Sequence, residues 1–207
     1  MIAPSIEEAS RSCTSGNHAL ARSFTHVIGF DDAPFSDAHR GDVLVVGAVY
    51  TGERLSGVLS GKVRRDGANA TRVLAELVRG SRFYPQLHAV LLQGIAVAGF
   101  NVVDLDGLHD ALGIPALVIA RQRPDLNAIR RALLDRVPGG ALKWRLIERA
   151  GPMESLAGLF VQRKGLSLSE AERLINRFAI DGHIPEPLRS AHLIAAGIAL
   201  GQSTHRA

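Results

Sequence analysis

The sequence predicts a single α/β domain built on a mixed β-sheet. Two observations carry that expectation. The first is a change of period. Residues 26–63 hold three short apolar or alternating runs on short connections, and from residue 70 onward helical patterns alternate with short apolar runs. The second is size and balance: 207 residues, 46% hydrophobic and 21% charged, suit one sizeable core. Only 5% of residues are aromatic, so Val, Ile, Leu and Ala must fill it.

His26 to Phe30 (HVIGF) reads as a buried strand ending in Asp31-Asp32. Val43 to Tyr50 is a second, Val-rich strand. Thr51 to Arg54 contains a glycine and reads as a hairpin loop, and Leu55 to Val63 partly alternates, as a strand with one wet face does. The period then turns helical, with Val73, Leu74, Leu77 and Val78 marking a helix over Ala70 to Val78. Ala89 to Leu92 is a short buried strand. Val102 to Leu112 is predicted helical, ended by Gly113. Ala116 to Ile119 is a strand, and Asp125 caps a helix over Leu126 to Arg136. Leu159 to Gln162 is a candidate last strand. Ser167 and Glu170 form a capping box for a helix to Phe178, and Pro185 to Leu200 carries a final helix.

A three-stranded antiparallel meander continuing into parallel βαβ units gives the expected strand order 3-2-1-4-5, with strands 1, 4 and 5 parallel. That is the ribonuclease H-like order. Residues 1–22 read as a tail or appendage, because Thr14-Ser15-Gly16-Asn17 interrupts a segment of little apolar periodicity. Residues 23–207 are then the domain.

The lone cysteine, Cys13, excludes an internal disulfide and a zinc-finger cluster, which points to a reducing, cytoplasmic setting. No apolar run is long enough to span a membrane. Arginine supplies 21 of the 24 basic residues, and the net charge is +4. Arginine's planar fork suits phosphate, so nucleic acid is a candidate partner. GxSxG, P-loop and HExxH patterns are absent.

Asp31 and Asp32, at the end of a buried strand, read on their own first as a turn that caps backbone amides before Pro34, and second as candidate Mg²⁺ carboxylates. Asp66 stands where the third strand gives way to a helix, beside Arg64 and Arg65, and is a candidate acid or N-cap. Gly94 to Asp104 holds two glycines, with Asn101 and Asp104 near a helix start. Asp106, His109 and Asp110 read as a solvated face. Arg121, Arg123, Arg130 and Arg131 are candidate phosphate contacts or ordinary surface charge. Glu186, Arg189 and His192 recur at i, i+3, i+6 along one side of the last helix, as an active-site stripe or a structural network.

Six blocks, GFDDAPF, VVGAVY, DGANAT, GIAVAGFNVVDLDGL, RQRPDLNAIRRAL and IPEPLRSAHLIAAGIALGQS, occur in order and together resemble the mostly archaeal endonuclease dU family. The resemblance spans roughly residues 24–207. That family is similar to endonuclease V and shares its ribonuclease H-like fold. The resemblance implies cleavage of DNA near deaminated bases such as deoxyuridine or deoxyinosine, with Mg²⁺ or Mn²⁺ as cofactor. It implies that Asp31 and Asp66 are metal ligands and that Asp32, Asp104, Glu186 and His192 belong to the catalytic set. Candidate substrate contacts are Gln93, whose amide can both donate and accept, with Asn101, Arg121, Arg123 and Arg189.

The sequence departs from the family pattern twice. Gln93 stands where the family reads Asp in LLDGI, and Asn69 replaces an acid in DGTDAT. Weaker metal binding, altered chemistry or an inactive descendant are the alternatives that such a loss of charge leaves open. Three functions therefore stay open: a metal-dependent nuclease, a nucleic-acid-binding protein without cleavage, and an enzyme reusing the pocket on a small molecule.

Overall fold

A computed structural model describes residues 22–203. The tail expected over residues 1–22 lies, but for Arg22, outside the described residues. The elements run β1 (His26–Asp32), β2 (Asp42–Thr51), β3 (Arg54–Arg64), α1 (Ala70–Arg79), β4 (Ala89–Gln93), β5 (Ala96–Val97), β6 (Asn101–Val102), α2 (Leu105–Leu112), β7 (Ala116–Ala120), α3 (Leu126–Arg136), α4 (Gly140–Arg149), β8 (Glu154–Leu156), β9 (Leu159–Lys164), α5 (Leu168–Phe178) and α6 (Glu186–Leu200).

The main sheet has the order β3-β2-β1-β4-β7-β9-β8. Its first five strands reproduce the expected order. β1 to β2 and β2 to β3 are antiparallel, whereas β1, β4 and β7 are parallel. This is the ribonuclease H-like mixed sheet. β9 and then β8 extend it by antiparallel pairing at the far edge.

Strand alternation divides the core into two faces. Val27, Leu91 and Leu117 pack with Leu174, Leu188, Ala191 and Ala195 of α5 and α6. Ile28, Phe30, Leu92 and Val118 pack on the other face with Leu74 and Val78 of α1 and Leu108 of α2.

One glycine sets how closely α6 approaches the sheet. A Cβ added at Gly29 would sit 2.5 Å from the carbonyl carbon of Pro187. The missing side chain lets the first turn of α6 rest on the backbone of β1. Tyr50 Oη and Ser190 Oγ, 2.7 Å apart, tie the same helix to β2.

The helix expected over Val102–Leu112 begins instead at Leu105. Asn101 and Val102 pair with Val97 and Ala96 in a two-stranded ribbon, and Val103 N–H donates to Ile95 O, which holds the chain extended. Asp104 is the N-cap, its side chain accepting from Gly107 N–H. The ribbon, α4 and β8 have no counterpart in the expected pattern. Among the described residues, no helix is long and apolar enough to cross a membrane.

Candidate active site

The C-terminal ends of parallel β1 and β4 lie side by side. Their register pairs Phe30 with Leu92, so the next step brings Asp31 alongside Gln93 on the α6 face. Asp31 is 6% exposed. Its Oδ1 accepts from Asp32 N–H at 3.0 Å, and its Oδ2 lies 2.8 Å from His192 Nδ1. The acidic oxygen therefore orients the ring, because an N–H at Nδ1 is the donor that a carboxylate requires. Two polar atoms on these side chains are buried without a hydrogen-bond partner, Gln93 Oε1 and His192 Nε2.

Asp32 turns to the opposite face, where its Oδ2 accepts from Ala98 N–H at 3.0 Å. Burial raises both carboxyls. For Asp31 it outweighs the His192 hydrogen bond and charge and the Asp32 amide. For Asp32, burial and then the adjacent Asp31 charge push the group up to about 6, against the Ala98 and Asp32 amides and the His192 charge.

The loop between β5 and β6 joins Asp32 to Asp66. Asp66 N–H donates to Ala98 O, and Phe100 N–H donates to Asp66 Oδ1 at 2.8 Å. Asp66 and Ala98 are both left-handed, at φ +50°, a conformation that non-glycine residues hold only when their surroundings enforce it. Gly99, at φ +82°, has to be glycine: a Cβ there would lie 2.5 Å from Asp66 Oδ1. Arg65 Nε sits 3.3 Å from Asp66 Oδ2.

Several predicted site residues take other work. Asn101 is fully buried, its Oδ1 accepting from Ala70 N–H and its Nδ2 donating to Arg64 O and Asn69 Oδ1. It caps α1 from outside the helix, because Asn69 makes no cap bond of its own. Both its donors are spent, so it has none to offer a substrate. Asp104 is an N-cap paired with Arg149. That pairing, with the Gly107 and Asp106 amides, holds its carboxyl below the usual range although burial opposes it. Glu186 is buried and forks onto Arg189, Nε to Oε1 at 2.8 Å and Nη2 to Oε2 at 2.6 Å. Arg121 and Arg189 line one pocket of about 330 Å³ with His183 and Asp181. Arg123 is exposed on the loop after β7.

A divalent ion needs oxygen donors around one point. Among the described residues, no group of three or more His, Cys, Asp or Glu side chains could hold a metal together. Of the expected Asp31–Asp66 pair, Asp31 Oδ2 lies against His192, and Asp66 accepts from Phe100 N–H and pairs with Arg65. The β1–β4 edge offers a sparser set on the α6 face, Asp31 with the unpartnered amide oxygen of Gln93. Such a set suits Mg²⁺ or Mn²⁺ that keeps most of its waters, since Mg²⁺ commonly uses only one or two protein carboxylates plus phosphate.

Lys143 of α4, which the sequence reading did not single out, reaches the backbone of Asp66. It is 5% exposed, and its ammonium donates to Asp66 O.

The sheet order and the acidic edge of β1 define a ribonuclease H-like domain of the endonuclease V architecture. The chain belongs to the endonuclease dU family, whose model matches residues 23–199. A UPF0215 protein of Deinococcus radiodurans is 60% identical over 179 residues, 86% of this chain and 91% of that one. A solved protein of unknown function from Archaeoglobus fulgidus superposes with a TM-score of 0.78 at 34% identity, covering 84% of this chain and 97% of that one. Ciona intestinalis endonuclease V, solved with a DNA 24-mer containing an inosine followed by a ribo-adenosine, gives a TM-score of 0.51 at 14% identity over 81% and 82% of the two chains, a likeness of fold.

Proposed function

We propose that this protein is a divalent-metal-dependent endonuclease that cuts DNA beside deaminated bases such as deoxyuridine or deoxyinosine. The observation that carries the reading is the meeting of Asp31, Gln93 and His192 at one end of β1 and β4 in a chain of the endonuclease dU family. Ligand sites in open α/β sheets gather at such strand ends.

Asp31, with Gln93 Oε1, would hold Mg²⁺ or Mn²⁺, which when bound offsets phosphodiester charge and makes water a better nucleophile. Asp31 fixes the His192 ring through Nδ1 and leaves Nε2 unpaired, an atom that can take a proton from water or return one. Glu186 holds the guanidinium of Arg189 in a fixed plane, and Arg189 and Arg121 together suit a phosphate in their pocket. An apolar pocket of about 270 Å³ beside Gly94, walled by Ile95, Phe100, Leu126 and Met153, gives an extruded base a dry slot.

Gln93 favours a second reading, a nucleic-acid-binding protein that does not cut, because an amide brings a dipole where a carboxylate brings charge. The test is incision of oligonucleotides carrying one deoxyuridine, one deoxyinosine or neither, with and without Mg²⁺ or Mn²⁺. The nuclease reading expects metal-dependent incision near the lesion. Lesion binding without incision under either metal selects the second reading.

A further inference from the structure

We propose that a basic trough on the α1 and α4 side of Asp66 is the path of a nucleic-acid strand, with Lys143 as its buried phosphate anchor. The proposal rests on the nucleic-acid reading above and adds a route for the substrate.

Lys143 is the starting observation. A buried ammonium without a carboxylate is costly. Lys143 donates to the carbonyl oxygen of Asp66, and none of the ion pairs among the described residues includes it. Burial pulls its pKa down, with the Asp66 charge opposing. An ammonium has three donors, and this one borders a cavity of about 730 Å³ that also meets Thr71 and Arg79.

A second cavity of about 770 Å³ shares Asp66 and Pro138 with the first and adds Arg40, Arg64, Arg65 and Arg136. The two together are lined by seven cations and four acids. Three of those acids are already engaged: Glu76 by Arg72, Asp104 by Arg149 from outside the trough, and Asp66 by Arg65. Arg40, Arg79, Arg136 and Lys143 have no carboxylate partner among the described residues.

These unpaired cations come from four separate segments and are spread over both cavities. A single phosphate would meet only one part of them, whereas a phosphodiester chain presents one charge about every 3.4 Å along each strand. Phe35, with the Arg65 guanidinium 5.2 Å above its ring, adds an aromatic face of the kind on which bases stack. The trough also connects to the β1 edge, because the Ala98–Phe100 loop is bonded to Asp66 on one side and to Asp32 on the other.

The experiment measures binding of a fluorescent single-stranded DNA across a salt series. Wild type is compared with Arg40→Ala, Arg79→Ala, Arg136→Ala and Lys143→Met, with Arg173→Ala on α5 as the control. The three trough arginines are exposed, so those variants test the idea even if Lys143→Met fails to fold. The expected result is weaker binding for each trough variant, with the slope of log affinity against log salt reduced by about one, and no change for Arg173→Ala. If wild type binds DNA and every trough variant matches it in affinity and slope, the trough is not the path and the nuclease reading stands. If wild type binds no DNA at low salt, both fall together.

Discussion

Asp31 and His192 are 161 positions apart in the chain, yet Oδ2 of one lies 2.8 Å from Nδ1 of the other. The contact exists because Gly29, two residues before Asp31, lets α6 rest on the β1 backbone. The link from local sequence to site is thus one missing side chain.

Gly29→Ala should separate that pair. Its methyl group meets backbone that cannot swing aside, so we expect a loss of about 1–3 kcal/mol in denaturant unfolding, together with reduced incision. Unchanged stability and activity would show that α6 has room to spare.

Replacing His192 divides its structural role from its proton chemistry. His192→Gln keeps a donor toward Asp31, whereas His192→Ala removes it. If His192 carries a proton, both variants lower the single-turnover rate by about 100-fold or more and flatten its pH profile. Rescue by Gln alone would reduce His192 to holding Asp31 in place.

Asp32 gives a pH signature. Its carboxyl is pushed up from 3.8 to about 6 in the fold. The folded protein therefore binds the proton more tightly than the unfolded chain. This contribution is intact below about pH 4 and is lost as pH rises through about 6. Asp32→Asn should be more stable than wild type above that window, by on the order of 1–3 kcal/mol, with the difference vanishing in acid. Parallel pH–stability curves for the two proteins would contradict this account of Asp32.

Much of the fold was legible in the sequence. The Val-rich meander and the alternating helices and strands gave the first five sheet positions in order, because long-period patterns survive tertiary packing. The GFDDAPF block pointed to the β1 end, and the i, i+3, i+6 spacing in α6 pointed to His192. What the spacing could not show is that Glu186 and Arg189 would bind each other while only His192 reached Asp31. The ribbon of β5 and β6 has two residues per strand, too few for alternation to register. Asn101 therefore read as a substrate contact, although it caps α1. Lys143 was missed because a lysine on a polar helix reads as exposed, and burial of lysine is rare. Pro138-Gly139-Gly140 was the available signal for the start of α4.

Gln93 tests the metal reading by addition of charge. Gln93→Asp places a second carboxylate beside Asp31, and Mg²⁺ binding by calorimetry should tighten by about a hundredfold. Weaker binding, with poorer retention of lesion-containing DNA, would instead assign the amide to the substrate.

The most direct test of the β1–β4 edge as a metal-dependent active centre is the single-turnover incision of a duplex with one deoxyuridine or deoxyinosine, wild type against Asp31→Asn, with Mg²⁺ present and then chelated. The account predicts incision by wild type that chelation abolishes, and loss of about 1000-fold or more in the folded variant. Equal rates for the two proteins, or incision indifferent to the metal, would contradict it.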